Sequence, residues 1–471
     1  MDNGFAKFEH VKIPRRNMAM RFAHVDKNGV YTKKTVSDAA SKITYITMMQ
    51  VRAFIVMEAS KCLRVGTTIS IRYSAVRKQG FKNEQSGKSS GEKLEENQIL
   101  DYKQQQYRLL PLLAASYCFF FSGKKVLDDI KTIEARIVNS SPDSTEEAIT
   151  KTEVGDIHAT TSCLKSFTTT IAADGLEDCR KSCGGHGFLA SSGFPELITT
   201  FLQNPTVEGD NAMLPMQVVK ILLKLVKDVQ NDSVKALKDW KRCDASYLVT
   251  PVTAMLAGET IETCSVSSKE GMMDLNVCLK AFQHRAARLL VEVAVQIQGD
   301  VMQGNSFESA WNGALIQMGR VSRAHSLYLL LSNFKHGIQT ESKTVLGPNE
   351  VNVLQDLALL FGLYWIEKED GEFLADGYFC AKQIQWVRTC VLTMLDKIRP
   401  ECVALVDAND FPDFRLKSAL GRYDGNVYEA ILESSKKDPL NDTEPGPGYE
   451  EHLKRLIVDG VGVYAGTSSR L

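Results

Sequence analysis

The run Pro205-Thr206-Val207-Glu208-Gly209-Asp210-Asn211 sets one carboxylate between an apolar stretch and the start of a helix. If Asp210 or Asn211 caps that helix, Glu208 lies just outside it, where a side chain can point into a cleft. The plainer reading is that these acidic residues only favour the helix N-terminus through its dipole. Arg52 and Arg77 stand 25 residues apart in one helix-forming run. That spacing is close to seven turns, so both share a stripe yet lie roughly 37 Å apart. They cannot grip one small group, and each could instead snorkel or pair with a carboxylate. Gly184-Gly185-His186-Gly187-Phe188 would let backbone approach a ligand closely, because three positions lack a side chain. It follows no strand and lacks the spacing of a dinucleotide fingerprint, and a helix C-cap would explain it locally. His186 alone is no evidence for a nucleophile.

These residues need a scaffold, and the pattern around them is helical almost throughout. Residues 5 to 32 alternate apolar and polar side chains, as at Phe8, Val11 and Ile13, with Pro14 and Asn28-Gly29 as punctuation; this predicts one or two strands and a turn. Residues 43 to 77 are free of Pro, contain only Gly66, and are apolar around most of the circumference, as in a helix inside a bundle. The stretch Lys78 to Asn97, with four Lys, four Glu and three Gly, predicts an exposed loop. Helices are expected from about 100 to 138 and 157 to 182, with a loop over 139–156, and a fourth from near Asn211. Four long helices predict an antiparallel bundle. The pattern weakens from about 227 to 273, then returns near 275–300, 306–335, 350–367 and 376–398. Residues 435 to 450, with Pro439, Pro445 and Pro447, are expected to be irregular before a last short helix.

Composition narrows the function classes. A chain of 471 residues with 44% hydrophobic content can bury a sizeable core, and its length fits two or three domains. Lys plus Arg (56) nearly balances Asp plus Glu (57), so no broad basic surface exists for nucleic acid or an anionic membrane. The eleven cysteines lack zinc-site spacing and disulfide-scaffold density, which predicts free thiols in a reducing compartment and no metal site. The N-terminus lacks the pattern of a secretory signal, and no segment reaches the ~18 uninterrupted apolar residues of a membrane span. Ser469-Arg470-Leu471 is a close variant of the Ser-Lys-Leu tripeptide that a peroxisomal import receptor reads.

Taken together, these segments resemble the peroxisomal acyl-CoA oxidases, a branch of the acyl-CoA dehydrogenase superfamily, over essentially the whole chain. The matching stretches are Phe8 to Met18 (FEHVKIPRRNM), Ile71 to Gln79 (IRYSAVRKQ), Ile99 to Pro111 (ILDYKQQQYRLLP), Cys183 to Phe188 (CGGHGF), Thr206 to Gln217 (TVEGDNAMLPMQ) and Leu420 to Glu429 (LGRYDGNVYE). They occur in the family's order, and several motifs in register are far more specific than any one.

The resemblance implies an all-α fold of two helical bundles preceded by a short β-domain remnant. It divides the chain into the remnant (1–35), a first bundle carrying the catalytic glutamate (36–228), a connection (229–273) and a second bundle with a targeting tail (274–471). Glu208 would be the base that removes the α-proton of an acyl-CoA, while the β-hydrogen leaves as hydride to FAD. An α-proton beside a thioester is weakly acidic, so the site must desolvate the carboxylate and donate hydrogen bonds to the carbonyl. The Glu208 N–H and a flavin ribose hydroxyl would be those donors. The product would be a trans-2-enoyl-CoA, with dioxygen reduced to hydrogen peroxide in the peroxisomal matrix.

By the same resemblance Arg52 stands near the reacting centre. Arg77 and Gln79 match the segment that reaches the flavin of a neighbouring subunit, Gly184 and Gly185 a turn that approaches flavin across the dimer, and Asp210 and Asn211 contacts just after the base. A homodimer, or a heterodimer with a related oxidase subunit, is implied. Gly80 separates Gln79 from Phe81, where dehydrogenase relatives place the aromatic directly after the glutamine; Pro215 removes one donor near a helix start. The resemblance also places Met1 near the end of the family's β-domain, past its N-terminal helical domain. A reading from another class is a catalytically incompetent subunit that pairs with and regulates full-length oxidases.

Overall fold

The computed structural model describes residues 4–20, 23–33, 38–81, 95–139, 149–259, 262–454 and 456–457. The fold is all-α. Its helices are α1 (Asp38–Val76), α2 (Lys103–Asn139), α3 (Lys151–Ser182), α4 (Phe194–Phe201), α5 (Leu214–Asn231), α6 (Ser233–Asp239), α7 (Val249–Leu256) and α8 (Leu275–Met302). Then follow α9 (Phe307–Gly313), α10 (Leu315–Glu341), α11 (Pro348–Lys368), α12 (Asp370–Ala375), α13 (Ala381–Ile398), α14 (Cys402–Asp407), α15 (Asp413–Leu416) and α16 (Val427–Ser435).

The expected first helix extends back to Asp38. The third begins at Lys151, six residues before the expected start, because Thr150 and Glu153 form a capping box. Thr150 Oγ1 accepts from the Glu153 N–H at 3.1 Å, and Glu153 Oε2 accepts from the Thr150 N–H at 2.9 Å. The helix expected near Asn211 begins at Leu214 instead. The weakly patterned stretch after Lys227 holds two short helices, α6 and α7, and the run expected over 306–335 divides into α9 and α10.

Strand structure is slight. The strands β1 (Ala23–Val25) and β2 (Tyr31–Lys33) pair antiparallel around the Asn28-Gly29 turn, where Asp26 Oδ1 accepts from the N–H groups of Asn28 and Val30. Phe8, Val11 and Ile13 are exposed and outside any strand, so the alternation there does not mark a half-buried face. The expected loop after Lys78 instead opens and closes with β3 (Lys78–Phe81) and β4 (Glu96–Gln98), an antiparallel pair. Its middle, like the tail Ser469-Arg470-Leu471, lies outside the described residues.

Two sets of helices build the core. In the first, α1 packs along α2 and α3, and α3 along α5; in the second, α10 packs on α8, and α11 on α13. Both sets share one apolar interior, because α2 also packs against α10 and α11. The close approach is fitted by glycine. The Phe121 ring of α2 stacks on Phe334 of α10, 5.2 Å between centroids, and lies where a Cβ on Gly337 would stand only 2.2 Å from it. Two residues on, Gly123 admits the Met57 side chain of α1; a Cβ there would lie 2.5 Å from the sulfur. All eleven cysteines are free thiols, most of them buried. Among the described residues no helix is long and apolar enough to cross a membrane.

Candidate functional site

Glu208 lies on a tight loop between α4 and α5. Its φ is +57°, and that of Gly209 is +115°, so two successive residues adopt left-handed backbone. For a residue with a side chain this costs on the order of 1–3 kcal/mol and persists only where the surroundings hold it. Gly209 is required here: a Cβ would stand 2.7 Å from Leu214 Cδ2.

Two buried cations from neighbouring helices hold the loop from beneath. Arg52 of α1 donates Nε–H to the Glu208 carbonyl oxygen at 3.0 Å and Nη1–H to Ser162 Oγ at 3.0 Å, with His158 Nδ1 at 3.3 Å. Burial, then the adjacent Arg52, pulls His158 down to about 4, so the ring is neutral and its Nδ1 accepts. Lys165 of α3 is fully buried. Its Nζ donates to the carbonyls of Pro205 (3.2 Å) and Gly209 (2.7 Å) and to Asn211 Oδ1 (2.9 Å). These contacts fix the Glu208 backbone, while its side chain is exposed.

Neither Asp210 nor Asn211 caps α5 as expected; its N-cap is Met213, without a side-chain bond. Asp210 closes a turn just ahead of it: Oδ1 accepts from the Ala212 N–H at 2.7 Å, and its carbonyl from the N–H groups of Met213 and Leu214. The Asn211 amide reaches Ser166 O, Thr169 Oγ1 and Thr170 Oγ1 at 2.9–3.0 Å, so with Lys165 on its oxygen this side chain serves the loop's own architecture. Pro215 sits in the first turn of α5, where its missing donor is tolerated.

A second group forms at the far end of α1. Arg77 lies one residue past that helix rather than on it, and donates Nη1–H to Tyr428 Oη at 3.2 Å. The Tyr428 ring meets His186 edge-on, and His186 Nδ1 lies 2.9 Å from Tyr73 Oη. Burial pushes the Tyr73 phenol up to about 12, so it keeps its proton. His186 shares its 3-10 turn with Gly184 and Gly185, whose added Cβ atoms would meet nothing within 4 Å. Gln79 lies in β3, and its carbonyl accepts from Tyr102 Oη at 2.9 Å.

Thus Arg52 joins Glu208, Asp210 and Asn211 in one group, and Arg77 joins the Gly184-Gly185 turn in another. About 37 Å along α1 separates the two. Sequence reasoning missed Lys165, His158, Ser162, Tyr73 and Tyr428. A signal for Lys165 existed: apart from His158, it carries the only ionisable charge between Asp156 and Asp174. Among the described residues no cluster of His, Cys, Asp or Glu could hold a metal ion.

Residues 45–223 match the model of the acyl-CoA oxidase C-alpha1 domain, and residues 274–458 that of acyl-CoA oxidase. The chain belongs to the acyl-CoA oxidase family. This oxidase-family chain is 37% identical over 460 residues to peroxisomal acyl-coenzyme A oxidase 1 of Rattus norvegicus, covering 97% of itself and 64% of that relative. Among solved structures, Arabidopsis thaliana acyl-CoA oxidase 1 superposes with a TM-score of 0.81 at 33% identity, over 96% of this chain and 63% of that one. Acyl-CoA oxidase-2 of Caenorhabditis elegans, solved bound with FAD, ascaroside-CoA and ATP, gives 0.79 at 28% identity over 96% and 61%. The chain spans a little under two thirds of the length of these oxidases.

Proposed function

We propose that this chain carries the base-bearing part of an FAD-dependent acyl-CoA oxidase of peroxisomal fatty acid β-oxidation, converting acyl-CoA to trans-2-enoyl-CoA as dioxygen becomes hydrogen peroxide. The observation that carries the reading is the Glu208 loop. Arg52 and Lys165 bind only main-chain oxygens and Asn211 there, leaving the carboxylate available to take a proton. The Glu208 N–H would donate to the thioester oxygen as negative charge develops on it. Exposed apolar side chains flank the loop in sequence, Leu202, Val207 and Met213, and flank Arg52 on α1, Val51 and Phe54. They suit an acyl chain or a covering element that would desolvate the carboxylate.

The second group fits a dinucleotide cofactor. Gly184 and Gly185 leave open the space a side chain would fill, and Arg77 offers a guanidinium held by Tyr428. Arg77, Gln79, Gly184 and Gly185 would hold FAD there, with Asp210 and Asn211 shaping the turn beside the base. Held there, FAD would supply the hydride-accepting and dioxygen-reducing chemistry that the reaction needs. Because about 37 Å along α1 separates the two groups, each would serve a different active site in a homodimer, or in a heterodimer with a related oxidase subunit. Ser469-Arg470-Leu471 would bring the chain to the peroxisomal matrix through the import receptor.

The exposure of the Glu208 side chain favours a second reading, a catalytically incompetent subunit that dimerises with and regulates full-length oxidases. One experiment addresses both. Peroxide production from acyl-CoA is measured for the chain alone and mixed with a full-length oxidase, for wild type and Glu208→Gln, beside flavin absorbance and circular dichroism. Glu208→Gln should keep fold and flavin while turnover falls about 100- to 10,000-fold. Near-normal turnover would remove Glu208 from the role of base. A silent wild-type chain that alters its partner's rate would support the regulatory reading instead.

A further inference from the structure

Lys165 is the largest feature of the loop that a catalytic reading leaves unused. It is fully buried in the middle of α3, and its three acceptors are two carbonyls and one amide oxygen, with no carboxylate among them. A side chain kept only for packing would be cheaper to bury without charge, since an ammonium loses its hydration and carbonyl dipoles return only part of it. The acceptors belong to one short stretch, Pro205 to Asn211, that brackets Glu208 on both sides. An ammonium has three N–H donors, and each has an acceptor here.

We propose that Lys165 is a positioning residue for Glu208, its ammonium pinning the carbonyls on either side and so holding the base-bearing turn in left-handed form. This rests on the reading of Glu208 as base. Arg52 holds the Glu208 carbonyl itself, so the two cations divide the turn between them. Loss of one proton from Lys165 would leave two donors for three acceptors and turn a lone pair toward one of them.

The charge state is within reach. Burial, then Arg52 of α1, pulls the Lys165 amine down to about 8, opposed by Asp210 and Glu208 of the loop. A lowered folded-state value means that between about pH 8 and the ordinary lysine range the unfolded chain binds more protons than the folded one. Over that window this group raises stability as pH rises, while the turn loses a donor. Stability and loop order therefore move in opposite directions as pH rises.

The test uses the full chain, with Lys165→Met, which removes the donors, and Lys165→Gln, which keeps two without titrating. Hydrogen exchange of amides 205–213 is measured against intrinsic rates from pH 7 to 10, beside thermal stability and the kcat and KM of the active assembly. Lys165→Met should lower loop protection about tenfold at pH 7 with stability kept. Its kcat should fall about 100-fold with little change in KM, as expected of a displaced base. Lys165→Gln should recover much of both and lose the alkaline decline. Wild-type loop protection in Lys165→Met would overturn the proposal, as would equal losses in both variants that track stability. An active Glu208→Gln would overturn the base assignment alone and leave the exchange result to stand on its own.

Discussion

Arg52 donates its Nε–H to the main-chain oxygen of Glu208 at 3.0 Å, fixing the backbone of that residue rather than its carboxylate. An arginine paired with the carboxylate would hold it as an anion and weaken it as a base. Bound to the carbonyl, the same guanidinium sets direction while leaving the side chain unengaged.

Arg52→Lys should therefore harm turnover more than its conservation of charge implies. One ammonium cannot span Glu208 O, Ser162 Oγ and His158 Nδ1 as the planar fork does. The expected result is a loss of about 1–3 kcal/mol in urea unfolding, from polar groups left unpaired. A kcat reduction of roughly 10- to 100-fold should accompany it. Unchanged kcat would separate the guanidinium from the function of the loop.

Gly209→Ala should destabilise by about 1–3 kcal/mol, because the added Cβ would both adopt a φ of +115° and press on Leu214. Gly299→Ala is the matched contrast. That glycine is inside α8 with nothing within 4 Å of an added Cβ, so alanine should stabilise by up to about 1 kcal/mol. Chemical denaturation of both variants decides, and opposite signs are expected.

Deleting Leu471 should leave a reporter fused upstream of the chain in the cytosol, whereas the intact tail should carry it into peroxisomes. The receptor reads the final side chain together with the terminal carboxylate. Continued import of the shortened chain, seen by microscopy, would assign the address to another segment or to a partner.

The long helices were legible because burial imposes a period on their sequences, and the Glu208 loop because an unusual run of residues interrupts that period. What escaped reading depends on contacts far apart in sequence. Lys165 is set apart in sequence only by its lack of charged neighbours, and its partners appear once α3 is placed under the loop. Asp210 and Asn211 were expected to cap a helix; the backbone turn they hold instead exists only once Gly209 takes its left-handed form. The start of α3 was misjudged by six residues because the Thr150–Glu153 box lies beside a polar stretch that masks it. Phe8, Val11 and Ile13 showed the opposite failure: alternation predicts a strand face only where something packs on it.

The two glycine notches on either side of α2 have a mechanical consequence. Phe121 and Gly123 are separated by about 200° around the helix, so one keys into α10 while the other receives Met57 from α1. Sliding α2 by a single residue, about 1.5 Å, would drive the Phe121 ring against α10 and Met57 against α2 together. The helix is thus indexed from both flanks, like a bar held by two detents. Met57 is five residues from Arg52, so a shift imposed on α10 would reach the Glu208 loop with almost no slack between.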